Sequence, residues 1–317
     1  MRGVFLDLDS VDRGDLDLQR LHASLDAWEF HPGTEPHQVA ARIAGARVVV
    51  TNKVRLDGPT LQSAPGLELV CLAATGADNV DLEAARRLGI AVANVRGYCT
   101  ASVVQHVFAL LLALTTRLPE YSALVRAGGW QHSRVFCPLE FPVRELAGRV
   151  MGIVGHGELG RAVAAAAGAF GMAVRIAHIP GRPGGPGRIP LDELLPEVDV
   201  LSLHCPLTPS TRNLIDARAL ARMRADAILV NTARGGIVDE HALARALREG
   251  RLGGAGIDVL GVEPPVDGNP LLDPDLPNLV VTPHTAWSAR EARQRAIDQI
   301  AGNIRAFRAG TRRNRLV

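Results

Sequence analysis

The sequence predicts an α/β protein built on parallel sheets, and three observations carry that reading. Short β-branched apolar runs recur along almost the whole chain. Ala-, Leu- and Arg-rich stretches of helical length separate them. The 317 residues suffice for two domains of about 150 residues each. Runs that are apolar at nearly every position suit strands buried on both faces, as parallel strands are.

Taken in order, residues 4–8 form the first strand, and a helix over 35–45 leads to a strand at 48–51. Strands at 69–73 and 91–94 bracket a helix at 81–88. Residues 101–117 read as one long apolar helix. The segment 119–142 that follows carries Trp130, Phe136 and Phe141 without periodicity or a sheet partner. A stretch of that length should have a job. An arm around another subunit and an excursion folded on its own domain both remain open. Strands then recur at 150–154, 173–177, 198–203, 228–231, 256–259 and 279–282, with helices at 159–170 and 239–249.

Composition narrows the function classes. Hydrophobic residues are 47% and charged residues 21%, as in a globular protein rather than a disordered one. Lys+Arg number 35 against 33 Asp+Glu, so charge makes no case for nucleic acid or an anionic membrane. Aromatics, at 4%, are too few for base-stacking platforms. Arg312, Arg313 and Arg315 read as a solvated tail. Asp7 and Asp9 interrupt any secretory apolar stretch, and residues 101–116, with Ser102, Gln105 and His106, fall short of a membrane span. Cys71, Cys99, Cys137 and Cys205 form no CxxC pair, which points to reduced thiols in the cytoplasm. No metal-ligand spacing and no GxSxG elbow occurs.

After the strand at 150–154 comes Gly155-His156-Gly157-Glu158-Leu159-Gly160, opening an Ala-rich helix. In that context the glycines have separate tasks: a tight turn, approach of backbone to a pyrophosphate, and close packing of helix on strand. The helix N-terminus offers unpaired amides to phosphate. The next strand should end in a carboxylate for the ribose of NAD, yet His178 stands there, with Arg182 four residues on. Loss of the carboxylate removes repulsion against a 2′-phosphate and an arginine can pair with it, so the cofactor is NAD or NADP, with NADPH use expected.

Three later strands each leave one ionisable side chain just past the end: Arg234, Glu263 and His284. Reduction of a 2-keto acid needs a hydride at carbon and a proton at oxygen. An imidazole beside a carboxylate can supply the proton, and an arginine fork can hold a carboxylate while polarising its neighbouring carbonyl. His106 reads instead as a satisfied core histidine, His156 as solvent-facing, and Cys205 as an inert thiol.

The ordered set GHGELG, HCPLT, NTARGG, AGIDVL with EPP, and TPHTAW resembles the D-isomer-specific 2-hydroxyacid dehydrogenases, nearest the bacterial glycerate dehydrogenase (hydroxypyruvate reductase) branch. Thr51-Asn52-Lys53, residues 74–81, Gly97-Tyr98 with Thr100, Ser102, Gln105 and His106, Phe141-Pro142 and Pro180-Gly181-Arg182-Pro183 agree, so the likeness spans nearly the whole chain. It implies two doubly wound, Rossmann-like domains. A substrate domain of residues 1–94 and 290–317 would receive a dinucleotide domain, 95–289, as an insertion.

The resemblance makes His284 the acid–base group, Glu263 its partner and Arg234 the grip on substrate. Lys53 and the loop Ala74, Thr75, Gly76 would bind substrate. Gly155, Gly157, Glu158, Leu159 and Gly160 would meet the pyrophosphate. His178 and Arg182 would lie at the ribose, and His204, Cys205, Pro206 and Thr211 on the adenine side. Thr232, Ala233, Arg234, Asp258, His284 and Trp287 would meet the nicotinamide side, with Asp258 holding the carboxamide. Gln105 departs from the glutamate of many members. The implied reaction is reduction of hydroxypyruvate to D-glycerate, and of glyoxylate to glycolate, by a homodimer. D-lactate or 3-phosphoglycerate specificity, or a dinucleotide-sensing corepressor-like role, are the alternatives.

Overall fold

The computed structural model describes residues 1–181 and 185–317. Contacts divide the chain into two units, Met1–Cys99 with Trp287–Val317, and Thr100–Ala286. The boundaries expected from sequence lay at 94/95 and 289/290.

The first unit alternates β1 (Arg2–Phe5), α1 (Gln19–His22), β2 (Ala27–Phe30), α2 (Val39–Ile43), β3 (Val48–Thr51), α3 (Gly58–Gln62), β4 (Leu69–Leu72), α4 (Leu82–Arg87) and β5 (Ala91–Ala93), and ends with α11 (Arg290–Arg308). Its all-parallel sheet has the order β2-β1-β3-β4-β5. Both faces are buried, which is why the strands read as unbroken apolar runs. Val48, Val50, Leu69 and Cys71 pack with Ala296, Ile297 and Ile300 of α11. Val49, Val70, Leu72 and Val92 point the other way, onto Ile43, Leu61 and Ala84. β1 stops at Phe5, short of the expected 4–8, because residues 8–10 turn into a 3₁₀ helix.

The second unit holds α5 (Thr100–Thr116), α6 (Leu118–Arg126), β6 (Val150–Val154), α7 (Glu158–Ala169), β7 (Ala173–Ala177), β8 (Arg188–Ile189), α8 (Leu191–Leu194), β9 (Val200–Leu203), α9 (Ala217–Arg222), β10 (Ile228–Asn231), α10 (Glu240–Arg248), β11 (Gly254–Ile257) and β12 (Leu279–Val281). The parallel sheet runs β12-β11-β10-β9-β6-β7-β8, so the chain reverses its direction of winding between β6 and β9. Open α/β sheets bind ligands beyond the strand ends at such a switch point.

Part of the segment expected to lack periodicity is helix α6. Arg117, at φ 56°, breaks it from α5, and Pro119 sits in its first turn, where its missing N–H costs nothing. Beyond it Trp130, Phe136 and Leu139 are exposed by 54%, 90% and 84%. Among the described residues no single helix is long and apolar enough to cross a membrane. The α5–α6 pair, which passes by composition, bends by 61°, and α5 buries Val107, Leu110, Leu111 and Leu114.

Candidate active site

The glycine-rich turn lies at the switch point of the second unit. Gly155 leaves β6 at φ +103°, and a Cβ there would strike the backbone of His204 and Cys205 at the end of β9. Gly160 lies in the first turn of α7, where a Cβ would fall on the Gly155 carbonyl and press on Ile153. Gly157, the α7 N-cap, is different: among the described residues nothing stands within 4 Å of where its Cβ would be. The outer glycines thus answer to packing, and the middle one leaves open space before the amides of a helix N-terminus, where a pyrophosphate fits. Leu159 is half-buried there, and Glu158 accepts a hydrogen bond from the Thr100 hydroxyl.

The ends of β9 and β10 carry two buried polar atoms with no hydrogen-bond partner among the described residues, His204 Nδ1 and Thr232 Oγ1. Burial pulls the His204 imidazole down to about 4, and its Nε2 lies 2.8 Å from the Ser202 hydroxyl. Two orphaned groups beside the phosphate turn fit a polar ligand such as a dinucleotide. Cys205 is buried and Pro206 exposed. The Thr211 hydroxyl is committed to the Pro206 carbonyl at 2.7 Å and shapes that loop. His178 is half-buried, and its N–H donates to Ile189 at 2.7 Å. It lines a cavity of about 310 Å³ with Pro180, Leu191, Asp192 and Arg218. Arg182 lies outside the described residues.

Arg234 follows β10 through a turn built by Asn231, whose side chain donates to the Arg234 carbonyl at 2.9 Å and accepts from the Ala233 amide at 3.0 Å. Gly235 lies against the Leu260 backbone, with no room for a Cβ. That contact brings the 260–263 loop beside the arginine turn. Glu240, from the first turn of α10, receives the Gly261 amide and the Asn269 side chain, each at 2.6 Å, and fixes the loop from behind. Glu263 accepts from the Leu260 amide at 2.8 Å through Oε1 and meets His284 Nδ1 at 2.6 Å through Oε2. His284 sits at φ 54°, past the end of β12, and its N–H donates to the Asp258 carbonyl at 2.7 Å. A carboxylate on Nδ1 leaves Nε2 to exchange a proton with a reacting oxygen. The imidazole–carboxylate pair and the arginine all follow strand ends of one sheet.

Asp258 lies just past the end of β11. Its side chain is fully buried, and its oxygens accept from the Thr282 hydroxyl (2.6 Å) and the amides of Thr285 (2.8 Å) and Ala286 (2.9 Å). Burial pushes this carboxyl up, but bonds from His106, Thr282 and the two amides outweigh it and hold it below the usual carboxylate value. These bonds tie it to the turn that carries His284.

In the first unit, Lys53 and the loop Ala74, Thr75, Gly76 follow adjacent strands, β3 and β4. The Thr75 hydroxyl donates to Val95 at 2.8 Å, and Asn94 donates to the Thr75 carbonyl at 2.7 Å. Asp7, buried past β1, takes the amides of Asn52 at 2.9 Å and Lys53 at 2.7 Å. Trp287 packs near Tyr98, ring centroids 6.3 Å apart. Sequence reasoning passed over Asp7, Asn231 and Glu240. Asn231 alone had a signal, its place at a strand end inside NTARGG.

Such a sheet, with its glycine-rich turn and an imidazole–carboxylate pair and an arginine past its strand ends, fits a dinucleotide-dependent oxidoreductase. Residues 108–286 match the family model of the D-isomer specific 2-hydroxyacid dehydrogenase NAD binding domain. The chain is 43% identical to the glycerate dehydrogenase of Methylorubrum extorquens over 98% of its length and 97% of that protein's. It is 35% identical to the hydroxypyruvate reductase of Blautia hydrogenotrophica, covering 98% of each. The crystal structure of the TT0316 protein from Thermus thermophilus superposes with a TM-score of 0.87 at 36% identity, covering 100% of both chains. The chain belongs to the D-isomer-specific 2-hydroxyacid dehydrogenase family.

Proposed function

We propose that this enzyme reduces small 2-keto acids to D-2-hydroxy acids, with hydroxypyruvate to D-glycerate as its main reaction and glyoxylate to glycolate beside it. The observation that carries the reading is the 2.6 Å pair of His284 with Glu263, in the unit that also holds Arg234. When bound, the reduced nicotinamide supplies the hydride. His284 delivers a proton from Nε2 to the carbonyl oxygen as it gains charge, and Glu263 holds the imidazolium through Nδ1. Arg234 holds the substrate carboxylate and polarises the carbonyl next to it. Lys53 and the 74–76 backbone contribute to holding the substrate. Lys53 is the only lysine in the chain. The similarity to a glycerate dehydrogenase and a hydroxypyruvate reductase supports this substrate over D-lactate or 3-phosphoglycerate.

His178 in place of a ribose carboxylate supports use of NADPH alongside NADH or in preference to it. The exposed aromatic segment after α6 supports a homodimer. The cysteine usage supports a cytoplasmic enzyme. Initial rates with hydroxypyruvate, glyoxylate and pyruvate, each with NADH and NADPH, test the reading. The highest kcat/KM is expected with hydroxypyruvate, and His178→Asp should shift preference toward NADH. Preference for pyruvate would make the enzyme a D-lactate dehydrogenase. Dinucleotide binding without turnover of any 2-keto acid would favour the corepressor-like role. Strong rejection of NADPH by the wild type would refute the reading of the His178 turn.

A further inference from the structure

Helix α5 brings to the catalytic turn a side chain that the reaction above does not use. His106 Nε2 lies 2.9 Å from the Thr282 hydroxyl and 3.3 Å from Asp258 Oδ1. The Thr282 hydroxyl already gives its proton to Asp258 Oδ1. Any hydrogen bond between His106 and that hydroxyl must therefore come from an Nε2–H, which sets the tautomer. One turn earlier on the same face of α5, Ser102 donates to the Ala286 carbonyl at 2.6 Å. The helix thus grips both ends of the turn that carries His284.

The register explains why a histidine at 106 reaches Asp258. Residues four apart on a helix advance about 6 Å, and residues two apart on a strand about 6.6 Å. Running antiparallel to β11, α5 offers Leu114, Leu110 and His106 to positions 254, 256 and 258. The first two positions are glycines. A Cβ on Gly256 would stand 2.8 Å from Leu110 Cβ, and one on Gly254 3.3 Å from Leu114 Cδ2. The helix lies so low on the strand that its next rung makes a hydrogen bond instead of an apolar contact.

We infer that His106 is a positioning residue of the catalytic turn. It completes the donor set around Asp258, and through Asp258 it holds residues 282–286 so that His284 keeps its left-handed backbone and its alignment with Glu263. The inference rests on the reading of His284 as the acid–base group.

The test compares His106→Leu, which keeps the bulk and removes the donor, with His106→Gln, which restores an N–H at similar reach. Three quantities are measured: amide hydrogen exchange of residues 282–286, kcat and KM for hydroxypyruvate, and NADH affinity by fluorescence. In His106→Leu the Thr285 and Ala286 amides should exchange about 10- to 100-fold faster, with a loss of similar size in kcat, as expected for losing a hydrogen bond to a charged group. KM and NADH affinity should stay within about threefold, the scale of a hydrogen bond's lower limit, and His106→Gln should recover both rate and protection. Thr282→Val removes the bridging hydroxyl without touching α5 and should give the same exchange signature, so it carries the test if His106→Leu does not fold. Unchanged exchange in these variants overturns the inference, and so does faster exchange with wild-type kcat. The exchange measurement needs no substrate. A protein that reduces none of the 2-keto acids yet loosens at 282–286 would therefore fail the functional reading while keeping the clamp.

Discussion

His284, the proposed acid–base group, shows how much of a residue's character is set by its surroundings. Its backbone takes a left-handed conformation at φ 54°, uncommon for a non-glycine residue. Bonds from Thr285 and Ala286 to Asp258 hold the residues that follow His284. His284→Ala should lower the rate of keto-acid reduction by about 10²- to 10⁴-fold while leaving NADH affinity nearly intact, because the proton is needed only as the alkoxide develops. Steady-state rates and fluorescence titration check both halves. His204 offers a separate pH signature. Burial lowers its folded value to about 4, from 6.5. The unfolded chain therefore binds the proton first, and stability is full above about 6.5 and declines as pH falls toward 4. At pH 5 the loss should be about 2 kcal/mol. Urea unfolding at pH 7.5 and pH 5 should show that loss in the wild type and a smaller one in His204→Gln. Equal losses would mean that His204 is not kept neutral.

At the scale of elements, the catalytic turn depends on a helix lying low on a strand. Gly256→Ala sets a methyl against Leu110 and should lift α5 from β11. Overpacking of this kind costs roughly 1–3 kcal/mol. The variant should melt at lower temperature and show faster exchange at 282–286. Melting curves and exchange mass spectrometry test this; full protection in the single variant would show that α5 can move without loosening the turn. The same glycines explain a shift in the strand reading. Residues 256–259 look like the strand because they include Ile257 and Val259, whereas β11 is Gly254–Ile257. Its first glycine is selected by Leu114 and the Asn278 backbone, neither of which is near it in sequence. β2 escaped notice for another reason: it is a four-residue edge strand, half-exposed, with Glu29 between Trp28 and Phe30.

At the scale of the molecule, the unexplained feature is the apolar surface beyond α6. Trp130 donates its Nε1–H to the Phe136 carbonyl, and Tyr121 donates to the Phe141 carbonyl. The segment therefore holds its own shape while Val135, Phe136 and Leu139 remain exposed. An apolar patch of this kind marks an interaction surface. Sedimentation at micromolar concentration should give twice the 33.7 kDa chain mass. The double variant Phe136→Ser, Leu139→Ser should shift the protein toward monomer. A wild type that sediments as a monomer excludes the dimer.

What the sequence by itself determined is whatever depends on near neighbours. The parallel α/β class follows from apolar runs spaced by helical stretches, and the phosphate turn from three glycines between a strand and a helix. The candidate chemistry followed from motifs that stay contiguous, so Arg234, Glu263 and His284 were legible before any coordinate. Tertiary structure alone decided which groups hold those three in place. The motif places Asp258 beside the site, and only the structure shows its oxygens accepting from Thr282, Thr285 and Ala286. His106 read as a satisfied core histidine because the helix around it is apolar, but only the structure shows that the groups satisfying it are Thr282, 176 residues further along the chain, and Asp258. Pairings of that kind are set by the register of a helix against a strand, and no local pattern of residues encodes a register between segments so far apart.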